Sequence, residues 1–295
     1  VFAAAVLWGS APVVAQGADT AAPGCEPVAA ERRTVARVLD GETLQVDGGA
    51  EVRLVGALAP RAYDAGAPVD DWPLAGRARA ALEALVAGNA VSLSFAGRRQ
   101  DRYGRLLAQV FVGDGATGAG LVWVQGELLR QGLARAYALE GSTQCLAALI
   151  AHERGAREAI AGLWAEPVYA VREAADSAAL LQRAGTFQVV EGRVLRAGPV
   201  RGALYMNFGE DWRQDFTVLM RDRIARLAAN GGLDKGALEG RRIRVRGWIE
   251  RRGGPLVEVV HPALIEALAE VVTAGEPQPA RASRRRSRRR PAAAE

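Results

Sequence analysis

Arg37-Val38-Leu39-Asp40-Gly41-Glu42-Thr43-Leu44 and Asp101-Arg102-Tyr103-Gly104-Arg105, with Arg53-Leu54-Val55-Gly56 between them, are the stretches on which the reading of this chain turns. Around the first, residues 34–46 alternate polar and apolar side chains and read as a strand, although Asp40-Gly41 is a common turn pair. Gly48-Gly49 makes a turn, and residues 51–56 return as a second strand. Working outward, residues 62–72 are rich in Ala, Gly, Pro and Asp and read as a loop. Residues 74–86 carry Ala78, Leu82 and Leu85 at helical spacing and stop at Gly88-Asn89. Residues 91–95 and 106–112 are strands joined by the charged loop 97–105. A short helix over 121–130, a last strand over 133–137 and a longer helix over 143–161 lead into Trp164.

With 295 residues and 49% apolar content, the chain can bury one large core or two ordinary ones. Its formal charge of +5 sits in the tail: without the seven arginines between Arg281 and Arg290, and without Glu295, residues 1–280 carry −1. The basic balance is therefore no evidence for a basic groove on the folded part. The Arg-rich tail, residues 271–295, reads as disordered, with nothing to bury from Pro277 on, and suits any polyanion.

Residues 1–15 read as part of a secretory signal, an apolar run ending in the small-residue site at Ala15, with a buried helix or strand as the rival reading. The expected location is the periplasm or outside the cell, with no transmembrane segment in the mature chain. A flexible segment, 16–31, follows. In an exported protein Cys25 and Cys145, the only cysteines, are expected to pair as a disulfide across roughly 120 residues, stabilising by about 4–5 kcal/mol in the chain-entropy account. Two separate buried thiols are the alternative.

The quoted runs resemble the active-site frame of the thermonuclease (staphylococcal nuclease-like, SNase-like) family, and the resemblance spans about residues 32–166. Glu127-Leu128-Leu129-Arg130-Gln131-Gly132-Leu133-Ala134 is also close to a family stretch that packs under the barrel. The resemblance implies a five-stranded OB-fold barrel and a metal-dependent phosphodiesterase. It puts Arg53 and Arg105 at the phosphate-binding catalytic positions, and Arg102 and Tyr103 beside them. Asp40 and Glu42 fall at metal-binding positions, Glu42 standing where the family has Asp. Leu58 occupies a second metal-ligand position and Arg61 that of the general base. A hard divalent ion needs several oxygens and Leu58 has none, while a guanidinium cannot accept a proton near neutral pH. Arg53, Arg61, Arg102, Tyr103 and Arg105 could still bind an anionic group. Asp64, Asp70 and Asp71, in the loop, are further carboxylates that could reach the site, and Tyr63 and Tyr103 the aromatics near it.

Residues 167–184 read as a helical or loose linker. A second unit, 185–270, shows five strand candidates, 187–195, 203–208, 215–220, 241–250 and 256–260, with a helix over 221–229. This is the OB outline again, or another small barrel. Tyr205, Phe208, Trp212 and Phe216 read as core and loop packing rather than base stacking, with Trp212 and Arg213 as exceptions. His152 and His261, with the two cysteines, lack zinc-ligand spacing.

The fold class expected is mainly β with helices: an SNase-like OB barrel followed by a second small OB-like barrel. The expected function is that of a catalytically degenerate module without a cofactor. It would bind or build in an envelope protein assembly, or hold a polyanion such as DNA, RNA or an anionic surface. The alternative is a divergent Ca2+-dependent endonuclease.

Overall fold

A computed structural model describes residue 25 and residues 30–61, 73–113 and 120–269. The signal reading over 1–15, the loop with Tyr63, Asp64, Asp70 and Asp71, and the Arg-rich tail lie outside the described residues.

The first unit runs β1 (Glu31–Asp40), β2 (Thr43–Val46), β3 (Glu51–Leu54), β4 (Ala57–Leu58), α1 (Pro73–Val86), β5 (Ala90–Ser94), β6 (Leu106–Val112), β7 (Val122–Trp123), α2 (Val124–Arg130), β8 (Arg135–Ala136) and α3 (Leu146–Glu158). β1 pairs antiparallel with β2 and β5, β2 with β3, and β5 with β6; β3 and β6 pair in parallel. Those five ladders form a closed barrel, consistent with an OB-fold. Its interior is filled by residues such as Leu44, Val52, Leu54, Val91, Leu93 and Val110, with no measurable exposure. The strand expected over 34–46 is a hairpin instead, because Asp40-Gly41 turns the chain between β1 and β2.

The second unit runs β9 (Arg172–Glu173), α4 (Ser177–Gln182), β10 (Phe187–Arg193), β11 (Arg196–Val200), β12 (Ala203–Asn207), β13 (Thr217–Arg221), α5 (Asp222–Asn230), α6 (Lys235–Leu238), β14 (Arg242–Trp248), β15 (Glu250–Arg252), β16 (Gly254–Val259) and β17 (Ile265–Ala267). Part of the segment expected as a linker joins this unit, since β9 adds in parallel to β10. The ladder plan repeats that of the first barrel: β14 returns antiparallel to β10 after the helix, and β16 runs parallel to β13. The strands nevertheless form two sheets, β17-β14-β10-β9 and β11-β12-β13-β16-β15, not one closed ring of ladders. The chain passes from one sheet to the other at Val194–Leu195 and at Ile249, where β10 gives way to β11 and β14 to β15.

Apolar contact continues from one unit into the other, with Val190 and Val245 in the same core as Leu149 and Ala136. The seam also holds charge. Arg246 on β14 is fully buried, with Nη1 2.6 Å from Glu153 Oε1 on α3 and Nη2 on Glu266 of β17. Arg157 pairs with the same two carboxylates, at 2.7 and 3.4 Å. Glu153 Oε2 accepts the Ala136 N–H at 2.7 Å. Among the described residues no helix is long and apolar enough to cross a membrane.

The disulfide expectation is corrected. Cys25 and Cys145 are free thiols, and the Cys25 Sγ lies 3.9 Å from the Cys145 carbonyl oxygen. The Cys25 thiol thus lies beside both the carbonyl and the thiol of Cys145, which stands at φ 64 at the start of α3. The hydrogen bond with the neighbouring Cys145 thiol, and then burial, push the Cys25 thiol far up, and the same bond draws Cys145 down.

Candidate functional site

The β1–β2 turn builds the floor of the site. The Asp40 carboxylate accepts the Glu42 N–H at 2.8 Å, so this carboxylate closes its own turn. Gly41 is required by packing: a Cβ there would lie 2.8 Å from Ala78 Cβ on α1 and 2.9 Å from Ala59 Cβ. The turn therefore fits tightly under α1 and aims Glu42 inward, where it is 2% exposed.

Both Glu42 oxygens are in use. Oε2 accepts the Ala59 N–H at 2.9 Å. Oε1 lies 3.3 Å from Arg53 Nη2 and also takes a charge-assisted hydrogen bond from Arg61 Nη2. Thr43 stands opposite Arg53 across the β2–β3 ladder, and the Arg53 guanidinium lies 5.6 Å from the centre of the Tyr137 ring. Three buried groups in this small region, the Thr43 hydroxyl, Arg53 Nε and the Tyr137 hydroxyl, make no hydrogen bond among the described residues. Burial pushes the Tyr137 hydroxyl up to about 12, with Glu42 adding to the rise and Arg53, Arg61 and Arg105 opposing it. That hydroxyl keeps its proton at neutral pH and remains a donor.

The 101–105 loop supplies the rim. The Asp101 carboxylate accepts N–H bonds from Tyr103 at 2.9 Å and Arg105 at 3.0 Å, and the Arg105 Nε at 2.8 Å. Burial works to raise Asp101, but the Arg105 guanidinium and those two N–H groups outweigh it and hold the carboxyl below its ordinary range. Arg105 is thus aimed by Asp101, a residue without an assigned role in the sequence reading although the D-x-x-x-R spacing is its signal. Arg102 and Tyr103 stand outside, with Tyr103 67% exposed and its ring under Arg102 at 4.7 Å.

The wall beside the site is closed by the second unit. Leu58, 2% exposed, packs with Tyr137 and with Phe187 at the start of β10. Its ladder partner Arg135 is buried too and donates to the Phe187 carbonyl at 2.7 Å. Tyr137, Thr43 and Phe187 are site residues that sequence reading missed. Phe187 is far away along the chain, and Tyr137 and Thr43 read as ordinary strand positions.

The structure thus gathers Glu42, Arg53, Arg61 and Tyr137, sets Arg105 on the rim where Asp101 holds it, and leaves Asp40 in its turn. These residues do not fit Ca2+, which takes about six to eight oxygens. Glu42 already serves three donors, and Leu58 presents hydrocarbon to Phe187. Among the described residues no group of three or more His, Cys, Asp or Glu could hold a metal ion.

Residues 51–166 match the family model described as staphylococcal nuclease homologue. The match begins after the Glu42 turn, yet β1 and β2 are ladder partners in the same closed barrel. No curated protein matches the chain. The chain carries a staphylococcal nuclease-like domain over the matched residues.

Proposed function

We propose that this domain binds an anionic group, a phosphate or carboxylate on a polyanion or partner protein of the cell envelope, and does not hydrolyse phosphodiesters. The observation that carries the reading is the set of three unpartnered donor atoms, the Thr43 hydroxyl, Arg53 Nε and the Tyr137 hydroxyl, beside a carboxylate already held by Arg53 Nη2 and Arg61. Donors without acceptors in a buried pocket call for an acceptor. Guanidinium, phenol and hydroxyl together suit an oxyanion.

Hydrolysis would need a metal or base to activate water and a group to stabilise the leaving oxygen. Among the described residues Glu42 is the carboxylate in the site, and its lone pairs are directed at Arg53, Arg61 and Ala59. Arg61 remains charged and cannot act as a base. Export rests on the apolar run over residues 1–15, and the Arg281–Arg290 cluster adds salt-dependent attraction to any polyanion. The second reading, a divergent Ca2+-dependent endonuclease, draws on the retained charges of Arg53 and Arg105, both of which act on Tyr137.

Titration with inorganic phosphate, followed by calorimetry, tests the binding reading. Tyr137→Phe keeps the ring and removes one donor. It should weaken phosphate binding roughly tenfold to a hundredfold, the worth of a hydrogen bond to a charged acceptor. Its melting temperature in phosphate-free buffer should not fall, because the hydroxyl has no partner to lose. Equal binding by wild type and the variant would remove Tyr137 from the site. Absence of phosphate binding in both, with saturable nuclease activity, would favour the second reading.

A further inference from the structure

We propose a second binding site, on the outer face of the second unit, for one ring of an uncharged saccharide. It is a groove of about 210 Å3 between β12, β13 and the β15–β16 hairpin, with Tyr205, Asn207, Trp212, Asp215, Thr217 and Arg252 among its lining residues.

The central feature is Trp212, 58% exposed on the loop between β12 and β13. A large indole in water is ordinarily expected on a loose loop, but this loop is braced. The Asp211 carboxylate accepts the Arg213 N–H at 3.0 Å and the Gln214 amide at 2.8 Å, and Asp215 accepts the Asp211 N–H at 2.9 Å. The hairpin turn presses on it from the other side. A Cβ at Gly253 would lie 2.6 Å from the Arg213 carbonyl oxygen, and one at Gly254 2.6 Å from that of Asp215. The Arg213 guanidinium rests 4.3 Å from the centre of the indole. Phe208 and Phe216, on either side of the loop, turn inward and pack on each other at 5.0 Å, so the core is made without Trp212. The ring is held outward by a structure that does not need it for packing, as a stacking platform is.

The polar groups decide the class of ligand. The Tyr205 hydroxyl and the Asn207 Nδ2 make no hydrogen bond among the described residues, and the Asn207 Oδ1 accepts from Thr217 at 3.2 Å, which fixes the amide with its donors outward. Asp215 adds an acceptor. Arg252 is the groove's cation, and it is engaged by Glu250 at 2.8 Å and Glu258 at 3.5 Å. Among the described residues of the lining the one carboxylate is Asp215 and the one cation, Arg252, is already held by Glu250 and Glu258, so a phosphodiester chain would gain no uncommitted lining cation, while Arg213, stacked on the indole, stands outside the lining. A sugar ring offers an apolar C–H face to the indole and hydroxyls to Tyr205, Asn207 and Asp215. The volume is below the roughly 300–1,000 Å3 of drug-sized pockets, so one ring fills it. The site is distinct from the Glu42 pocket and does not depend on how that pocket is used.

The test uses the full chain, with indole fluorescence and calorimetry against a neutral N-acetylglucosamine tetramer, maltotetraose, and a short oligothymidylate as the anionic probe. At least one neutral tetramer should bind, and Trp212→Ala should weaken that binding on the order of tenfold, about 1.4 kcal/mol. Asn207→Ala should weaken it by a smaller factor. Trp212→Ala removes an exposed side chain, and its melting curve should overlay wild type. The proposal is overturned if neither tetramer binds at millimolar concentration, or if Trp212→Ala binds the sugar as well as wild type does. It is also overturned if oligothymidylate binds instead and is lost in Trp212→Ala, which would make the groove a base-stacking platform.

Discussion

The arginine–glutamate cluster under the barrel turn and the one at the seam between the units are built differently. At the seam, Arg246 has no exposure and spans Glu153 and Glu266, Arg157 pairs with both carboxylates, and Arg154 and Arg244 lie 3.3 and 3.9 Å from Glu266. Under the turn, Glu42 is equally buried, but Arg53 and Arg61 keep 18% and 33% of their side-chain surface. Both clusters satisfy carboxylates with guanidinium. Among the described residues both clusters leave a guanidinium Nε without a partner, at Arg246 and at Arg53, but the seam buries its central guanidinium fully, whereas the barrel site adds the unpartnered Thr43 and Tyr137 hydroxyls and keeps Arg53 and Arg61 partly exposed. The first arrangement suits fixing two units, and the second suits taking a ligand.

Breaking the seam should have the largest effect. Arg246→Met leaves two buried carboxylates undercompensated and should cost about 3–5 kcal/mol in denaturant unfolding. Arg61→Ala, in contrast, leaves Glu42 with Arg53 and the Ala59 N–H and should cost within about 1 kcal/mol. Equal losses would erase the distinction between the clusters.

Next in size is the wall of the pocket. Leu58→Asp removes packing against Tyr137 and Phe187 and should cost at least the roughly 2–5 kcal/mol of a buried leucine deletion, read as a fall in melting temperature. If the variant instead keeps its stability and binds Ca2+ in calorimetry, the wall is free to serve as a ligand and Phe187 does not seal it.

Acid should sharpen the contrast further. Burial raises Glu266, but Arg246, Arg157 and Arg244 outweigh it and hold it below the ordinary 4.5. A depressed carboxylate contributes stability that is present above 4.5 and is lost as pH falls through the folded value. Melting temperature measured from pH 7 downward should drop below about 4.5, and the drop should shrink in Arg246→Met. A flat profile in wild type would mean the seam charges contribute nothing to folding.

Legibility in the sequence followed the same contrast. The barrel's strands and α1 could be read from alternation and helical spacing. The resemblance puts Leu58 and Arg61 at ligand and base positions because they sit next to a motif. What they touch could not be read that way. Phe187, which covers Leu58, lies in the other unit, and no local pattern joins the two. The seam was hidden for another reason. Arg242, Arg244 and Arg246 alternate with Ile243 and Val245, the pattern of a strand with one wet face, yet Arg246 is buried because α3 and β17 bring Glu153 and Glu266 to it. Alternation tells which side chains share a face, not whether a second unit covers it. The turn at Asp40-Gly41 was visible as a pair but lost in the longer alternating run.

The smallest expected effect concerns the thiols. Cys25 and Cys145 should both be alkylated in unreduced, unfolded protein, with intact mass unchanged by reduction. A mass gain of two hydrogens on reduction would show a bond where the structure has free thiols.

The central claim is that Glu42 is committed to arginine and cannot serve hydrolysis. It is tested most directly by incubating purified full-length protein with single-stranded DNA and with RNA, with Ca2+ and with chelator. The account predicts no cleavage above the protein-free control under either condition. Ca2+-dependent cleavage that scales with protein and disappears in Arg53→Ala would contradict it.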